Sequence, residues 1–288
     1  MTDTYLDYIL EPSIYLIVTF IMFVIGKYVY QLFHKKIDVK SELVIQDNFA
    51  FAIAHTGYFI GLLIAIGSAI VGPSHGVIID VIDIVVYGSL AIVLLNISTI
   101  INDKLILNKF DVRKEIIEDQ NEGTGVIEAA SAIGSGLIIY GSVSGETDYL
   151  LFGITTSVVF WAVGQFIMIL TSKVYNLITD YDVHEHIEKD NVAVGVGFAG
   201  AIIAISNLIR FSLMGSFVDW TTSFTKIAIY VLIGFVFLFI TRFVADKVLL
   251  PGQNLKDELV NQEKPNVGAG LIEAFAYIGG SILITWSL

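Results

Sequence analysis

Apolar runs of about twenty residues or more recur along the chain, at about 12–34, 48–71, 81–106, 121–143, 149–178, 191–214, 220–250 and 266–286, with the charged side chains clumped between them. Each run is long enough to cross the ~30 Å hydrocarbon core as a helix. The pattern predicts an all-α integral membrane protein with eight transmembrane helices. Pro12 and Pro265 stand where the first and last helices should begin, a position at which a missing N–H costs nothing. Asp3, Asp7 and Glu11 precede the first run in place of lysines, and no small-residue cleavage site follows it, so this run is expected to stay on the protein.

The polar punctuation repeats. Every even-numbered run opens on an Asn followed by small residues: Asn48 (DNFAFAIAHTG), Asn121 (NEGTGVIEAASAIG), Asn191 (DNVAVGVGFAG) and Asn266 (NVGAGLIEAFAYIG). Runs 4 and 8 match at Gly123/Gly268, Gly125/Gly270, Glu128/Glu273, Ala129/Ala274 and Gly134/Gly279. Runs 2 and 6 match at Asp47/Asp190, Ala50/Ala193 and Gly57/Gly200, and runs 3 and 7 share Asp103-Lys104 and Asp246-Lys247. Matched positions lie 143 to 145 residues apart, half of the 288-residue chain. The sequence is therefore two tandem four-span repeats, 1–144 and 145–288, each made of two related hairpins. An even number of spans makes successive copies insert the same way, so the repeats are parallel and a pseudo-two-fold or approximately four-fold bundle is expected.

Fifteen of the 25 glycines lie in the even runs and five in the odd ones. Helices in lipid associate through close backbone approach at small residues, which places the even helices at the centre and the bulkier odd ones against lipid. Gly57, Gly125, Gly134, Gly200, Gly270 and Gly279 are the expected close-packing positions, in a stripe better explained by packing than by a pore lining.

Composition and charge narrow the function. At 55% hydrophobic and 15% charged, the chain lacks the polar surface of a Rossmann enzyme or a disordered regulator, and a net charge of −12 argues against a nucleic-acid partner. Without cysteine there is no disulfide, thiolate nucleophile or cysteine-ligated metal. Fourteen of the 16 Lys and Arg, Arg242 among them, fall at the junctions after odd runs, while Asp80, Asp83, Glu146, Asp148 and Asp219 gather at the other side. The positive-inside rule then puts the odd junctions in the cytoplasm and both termini outside.

The segment ITDYDVHEHIEKDNVAVGVGFAGAII (178–203) resembles the characteristic stretch of the YjfL-type bacterial inner-membrane family, known as domain of unknown function 350. In that family a "t-y-D" loop and an acidic run lead into an Asn-x-Ala helix start. The counterpart at 37–57 keeps Asp38, Glu42, Asp47, Asn48, Ala50 and Gly57 but lacks the tyrosine. Family members usually carry one four-span unit, so the chain resembles a fused pair. The resemblance implies a bacterial inner-membrane location and an association with envelope-stress or polyamine genes, and it names no activity.

Charges inside hydrocarbon cost about 2.5–3.5 kcal/mol even on translocon scales, so intramembrane ionisable residues are the first functional candidates. Glu128 and Glu273 each lie seven residues, two turns and ~10 Å, beyond their Asn, with His55 and Phe198 at the same step of runs 2 and 6. Around a common axis these four would form one layer, suited to a proton relay or a weak cation site. The alternative is that the glutamates are structural and hydrogen-bond within helix interfaces. The four asparagines read as N-caps, with a ring of amides at a cytoplasmic mouth as the functional alternative.

The run Asp180, Asp182, His184, Glu185, His186, Glu188, Asp190 could offer ligands to a divalent cation, but its histidines lack the i, i+4 spacing, and a solvated loop is favoured. Residues 105–120 suggest an interfacial helix resting on headgroups. Asn96, Ser98, Gln165 and Thr171 are candidate interhelical glue. Asp80, Asp83, Asp148 and Asp219 would concentrate cations at the outer mouth or keep the loops soluble. No nucleophile–base set, phosphate loop or HExxH occurs, so no enzyme, cofactor or metal centre is expected. The expected partners are the lipid bilayer, a small cation and a second copy in a homodimer. Function is expected to be passage of a proton, metal ion or polyamine. The competing expectation is a non-transporting scaffold of an envelope-stress system that binds a partner through 105–120 or 180–190.

Overall fold

The structure, a computed structural model, describes residues 2–71, 74–145, 149–215, 217–250 and 252–287, and of residues 2–8 the backbone alone. The long helices are α1 (Thr2–Phe33), α2 (Phe49–Gly67), α3 (Val77–Leu105), then, after the short α4 (Val112–Ile117), α5 (Glu122–Val143) and α6 (Leu150–Ile178). After the short α7 (Val183–Glu188) come α8 (Val192–Leu213), α9 (Trp220–Val244) and α10 (Val267–Ser287). Among the described residues there is no strand, and eight helices are long and apolar enough to cross a membrane. Pro12 lies inside α1 and not at its start, since the helix begins ten residues earlier at Thr2. A single lost N–H bond has not ended it.

Each hairpin pairs an odd span with an even one and places a short helical element just before the even span. These elements are a π-turn at Ser41–Ile45, α4, α7 and a second π-turn at Asp257–Asn261. They form a collar at the basic end of the molecule. Apolar residues in and beside three of them turn inward: Ile106, Leu107, Val112, Ile116, Val183, Ile187 and Leu259 are buried, so the segment from 105 to 120 is wedged against the spans, whereas Leu43, Val44 and Ile45 of the first π-turn are exposed.

The hairpins stand in line. α2 packs on α5, α5 on α8 and α8 on α10, while α1, α3, α6 and α9 form a second layer along one side. The ends α2 and α10 do not pack on one another, so the bundle expected around a central axis is replaced by an open row of four even helices. Small residues set the spacing: an added methyl would lie 2.5 Å from Ala50 O at Gly125, 2.8 Å from Gly123 O at Gly195 and 2.6 Å from Arg210 O at Gly141. Gly57 lies on Ala129, Gly200 on Ala274 and Gly270 on Ala193, and Gly134 faces Ser206 and Met168. Gly279 differs: the atoms nearest to an added methyl there belong to its own helix's Phe275, at 3.5 Å and beyond, in ordinary contact.

The row's termination is visible in the same register. Nine residues after the Asn stand Gly57, Ala130 and Gly200, but Phe275 in α10; fifteen after it stand Gly136, Ser206 and Ser281, but Leu63 in α2. Phe275 and Leu63 are exposed at the two ends. Inner helices of the row are correspondingly shielded: 67% of the most apolar stretch of α5 and 78% of that of α8 are buried, against 50% for α2 and 39% for α10 at the ends.

Candidate functional site

Because the even helices form a row, His55, Glu128, Phe198 and Glu273 do not converge on one axis. They project sideways into the second layer, and within each repeat two of them meet at one tyrosine of its first span. These tyrosines, Tyr30 and Tyr175, occupy matching Val-Tyr-x-Leu segments. The expected single layer is thus two separate sites, one per repeat.

In the second repeat Tyr175 stacks on Phe198 with ring centroids 5.0 Å apart, and its hydroxyl donates to Glu273 Oε1 at 3.2 Å. Tyr277 donates to the same oxygen at 3.1 Å, and the Arg242 guanidinium of α9 forms an ion pair with it. The guanidinium also lies over the Tyr181 ring, 5.8 Å from its centroid. Glu273 is fully buried and its Oε2, set against Gly197, has no hydrogen-bond partner. A buried carboxylate is tolerated when a cation and neutral donors surround it, and here all three converge on one oxygen. Arg242, which reads in the sequence as a junction charge, is therefore part of the site.

In the first repeat the Tyr30 ring lies 4.7 Å from that of His55 and within electrostatic reach of Glu128. Glu128 is in side-chain hydrogen-bond contact with Asp103 of α3. Two carboxyl groups share such a contact only through a proton or a cation between them. His55 is sandwiched among Phe51, Tyr30 and Phe59, and its Nδ1 has no partner. Tyr58 donates to Gly26 O at 3.2 Å and accepts from Asn96 Nδ2 at 3.0 Å, which ties α1, α2 and α3 together beneath the site.

The repeat asparagines cap their helices: Asn48, Asn121, Asn191 and Asn266 accept from Phe51 N, Thr124 N, Val194 N and Ala269 N at 2.9, 2.8, 3.0 and 3.2 Å. Their amide nitrogens do something the sequence does not signal. Asn48 donates to Ile116 O, Asn121 to Ile187 O and Asn191 to Leu259 O, each about 68 residues ahead in the next hairpin's collar element. Asn48 and Asn121 also donate to Glu42 and Glu115, and Asn266, last in the row, donates to Glu258. Asp47, Gln120 and Asp190, just before three of these caps, hold positive φ of 48°, 52° and 56°. Pro265, in the fourth hairpin, cannot take that conformation.

The loop from 180 to 190 is folded, not solvated throughout. Asp182 caps α7 through His184 N and Glu185 N and pairs with Lys109 at 2.5 Å, which holds its carboxyl below the usual range. His184 is buried with Nε2 2.7 Å from Ile106 O, and among the described residues no three His, Asp or Glu side chains are placed to hold a metal ion. Burial pushes the nearby Glu115 carboxyl up.

Among the other polar candidates, Ser98 accepts from Trp161 Nε1 at 2.8 Å and Gln165 donates to Ser135 at 3.2 Å, both across helices. Thr171 bonds within its own helix to Ile167 O. At the acidic end a basin of about 970 Å³ is lined by Tyr15, His75, Asp80 and Asp83 among others. Asp80 accepts from Tyr15, Ser74 and His75 N, and Asp219 caps α9. Asp148 and Glu146 lie outside the described residues.

Asp103, Arg242, Tyr30, Tyr175 and Tyr277 are thus the site residues that sequence reasoning missed. The matched Val-Tyr-x-Leu segments were the one signal that could have found Tyr30 and Tyr175, and Tyr277 has no such match.

The chain is similar to a UPF0719 transmembrane protein of Aquifex aeolicus (strain VF5), with 28% identity over 206 residues that make up 70% of this chain and 75% of the relative. No solved structure matches it. The family model described as Domain of Unknown Function (DUF350) matches twice, at residues 4–143 and 149–288, and the chain accordingly belongs to the DUF350 family as two tandem copies.

Proposed function

We propose that the protein passes a small cation (a proton, metal ion or polyamine) across a bacterial inner membrane, as a transporter or channel and not as an enzyme. The basic collar lies in the cytoplasm and both termini lie outside. One observation carries the reading: each repeat places an ionisable cluster at the same register between its two helix layers, where a charge is costly unless it has work to do. The acidic basin at the opposite end would gather cations electrostatically. The scaffold alternative draws less support, because 105–120 and 180–190 are packed into the collar and leave few apolar groups for a partner.

Flux of protons, divalent metal ions and polyamines into proteoliposomes tests this, with wild type beside Glu128→Gln/Glu273→Gln. Wild-type flux that the double variant loses by at least about tenfold, the scale of losing a ligand interaction, is the expected result. No flux of any of these cations through a folded wild-type protein overturns it in favour of the scaffold.

A further inference from the structure

The two repeats hold the same site with opposite contents. Where the second repeat has Arg242, the aligned residue of the first is Thr99, and where it has Tyr277 and Gly197 the first has Ala132 and Ala54. The frame of Tyr30 and Glu128 is retained, but the protein's own cation and one phenol are replaced by small side chains. A second carboxyl is supplied instead. Asp103 faces Glu128, whereas its counterpart Asp246 points to the loop, accepting from Leu255 N at 2.6 Å and pairing with Lys247 at 2.7 Å.

Three further observations point to a ligand. Glu273 is sealed at 0% exposure, while Glu128 and Asp103 are both partly accessible. Asp103 Oδ1 is shielded yet has no hydrogen-bond partner in the protein, and so is Nδ1 of His55, which is 4% exposed and flanks the same Tyr30. Among the described residues no basic side chain forms an ion pair with Glu128 or Asp103, although Glu273 in the equivalent place has Arg242.

We infer that Glu128 and Asp103 bind a small, hard divalent cation from outside the protein, at the place that the Arg242 guanidinium fills in the second repeat. Carboxylate oxygens suit Mg²⁺, Ca²⁺ or Mn²⁺, and two carboxylates balance the charge of one such ion, as Arg242 balances Glu273. The second repeat is then a permanently occupied copy that holds its layers together, and the first is the exchangeable one. This deepens the transport reading and rests on it for the ion's onward passage.

Binding is measured without flux. Mn²⁺ is titrated into the detergent-solubilised full-length protein and bound ion is read by electron paramagnetic resonance, with thermal unfolding run alongside each variant. Wild type should bind one ion, Glu128→Gln and Asp103→Asn should each weaken binding by about tenfold or more, and Glu273→Gln should keep the site. Thr99→Arg, which brings the guanidinium to the first repeat, should abolish binding while the protein stays folded. Arg242→Thr/Tyr277→Ala, which leaves Glu273 without a second carboxyl because Asp246 is held in the loop, should keep the stoichiometry at one. No Mn²⁺ bound by wild type, or equal binding by folded Glu128→Gln, overturns the inference. Flux without Mn²⁺ binding would sink this site and leave transport standing; Mn²⁺ binding without flux would do the reverse.

Discussion

At the residue scale the same side chain can have a local role that is legible and a distant one that is not. An Asn before a small-residue run announces a cap, because capping is a matter of three adjacent residues. That Asn121 also donates at 2.7 Å to Ile187 O depends on which hairpin lies alongside, and nothing near Asn121 encodes it. Arg242 misleads for the same reason: near a span's end it counts as a junction charge, until the facing Glu273 turns it inward. Glu115 gives a pH prediction. Its carboxyl is pushed up by burial, so as pH rises past the ordinary carboxylate value the unfolded chain ionises first, and stability falls until the folded group ionises too. Glu115→Gln keeps an acceptor for Asn121 and cannot ionise. Its melting temperature in detergent should equal that of wild type near pH 4 and exceed it by about 1–3 °C at pH 8. A variant less stable at both pH values would show that the carboxylate contributes more than its burial costs.

At the element scale hydropathy was sufficient to find the eight spans, and matched motifs to find the hairpins, since both are properties of contiguous segments. The order in which helices touch is not. Glycine content showed that the even helices meet, and only the register of exceptions, Phe275 and Leu63, carried information about a row with two ends. The glycines make this testable. Gly125 approaches Ala50 O so closely that Gly125→Leu should destabilise the protein by about 3 kcal/mol or more, whereas Gly279→Leu should fall within about 0.5 kcal/mol of wild type. Thermal unfolding of the two variants distinguishes the inner interface from the row's open end, and equal losses would contradict it.

At the scale of the whole molecule the junction between the two family copies, α5 on α8, uses the same small-residue contacts as the junctions inside a copy. The native chain has no cysteine, so introduced pairs report contacts cleanly. An added Cβ at Gly134 would lie 3.2 Å from that of Ser206, close to disulfide geometry, so Gly134→Cys/Ser206→Cys should cross-link the two repeats on oxidation. Thr56→Cys/Phe275→Cys, at opposite ends of the row, should form no intramolecular bond. A ring would give the second cross-link. The candidate site was legible to the extent that a duplicated intramembrane Glu marks it. Its division into two unlike halves was not, because Thr99 and Arg242 acquire meaning only when Glu128 and Glu273 are seen opposite them.

Phe275 and Leu63 bear on how such an array could change in length. An additional hairpin joined at either end would meet a bulky side chain where the inner joints need Gly, Ala or Ser, and could not seat at the same spacing. A hairpin inserted at an inner joint would meet small residues on both sides and could hand the Asn-to-collar bond forward unchanged. Growth by insertion is therefore the route open to this architecture, with its two outermost helices serving as stoppers.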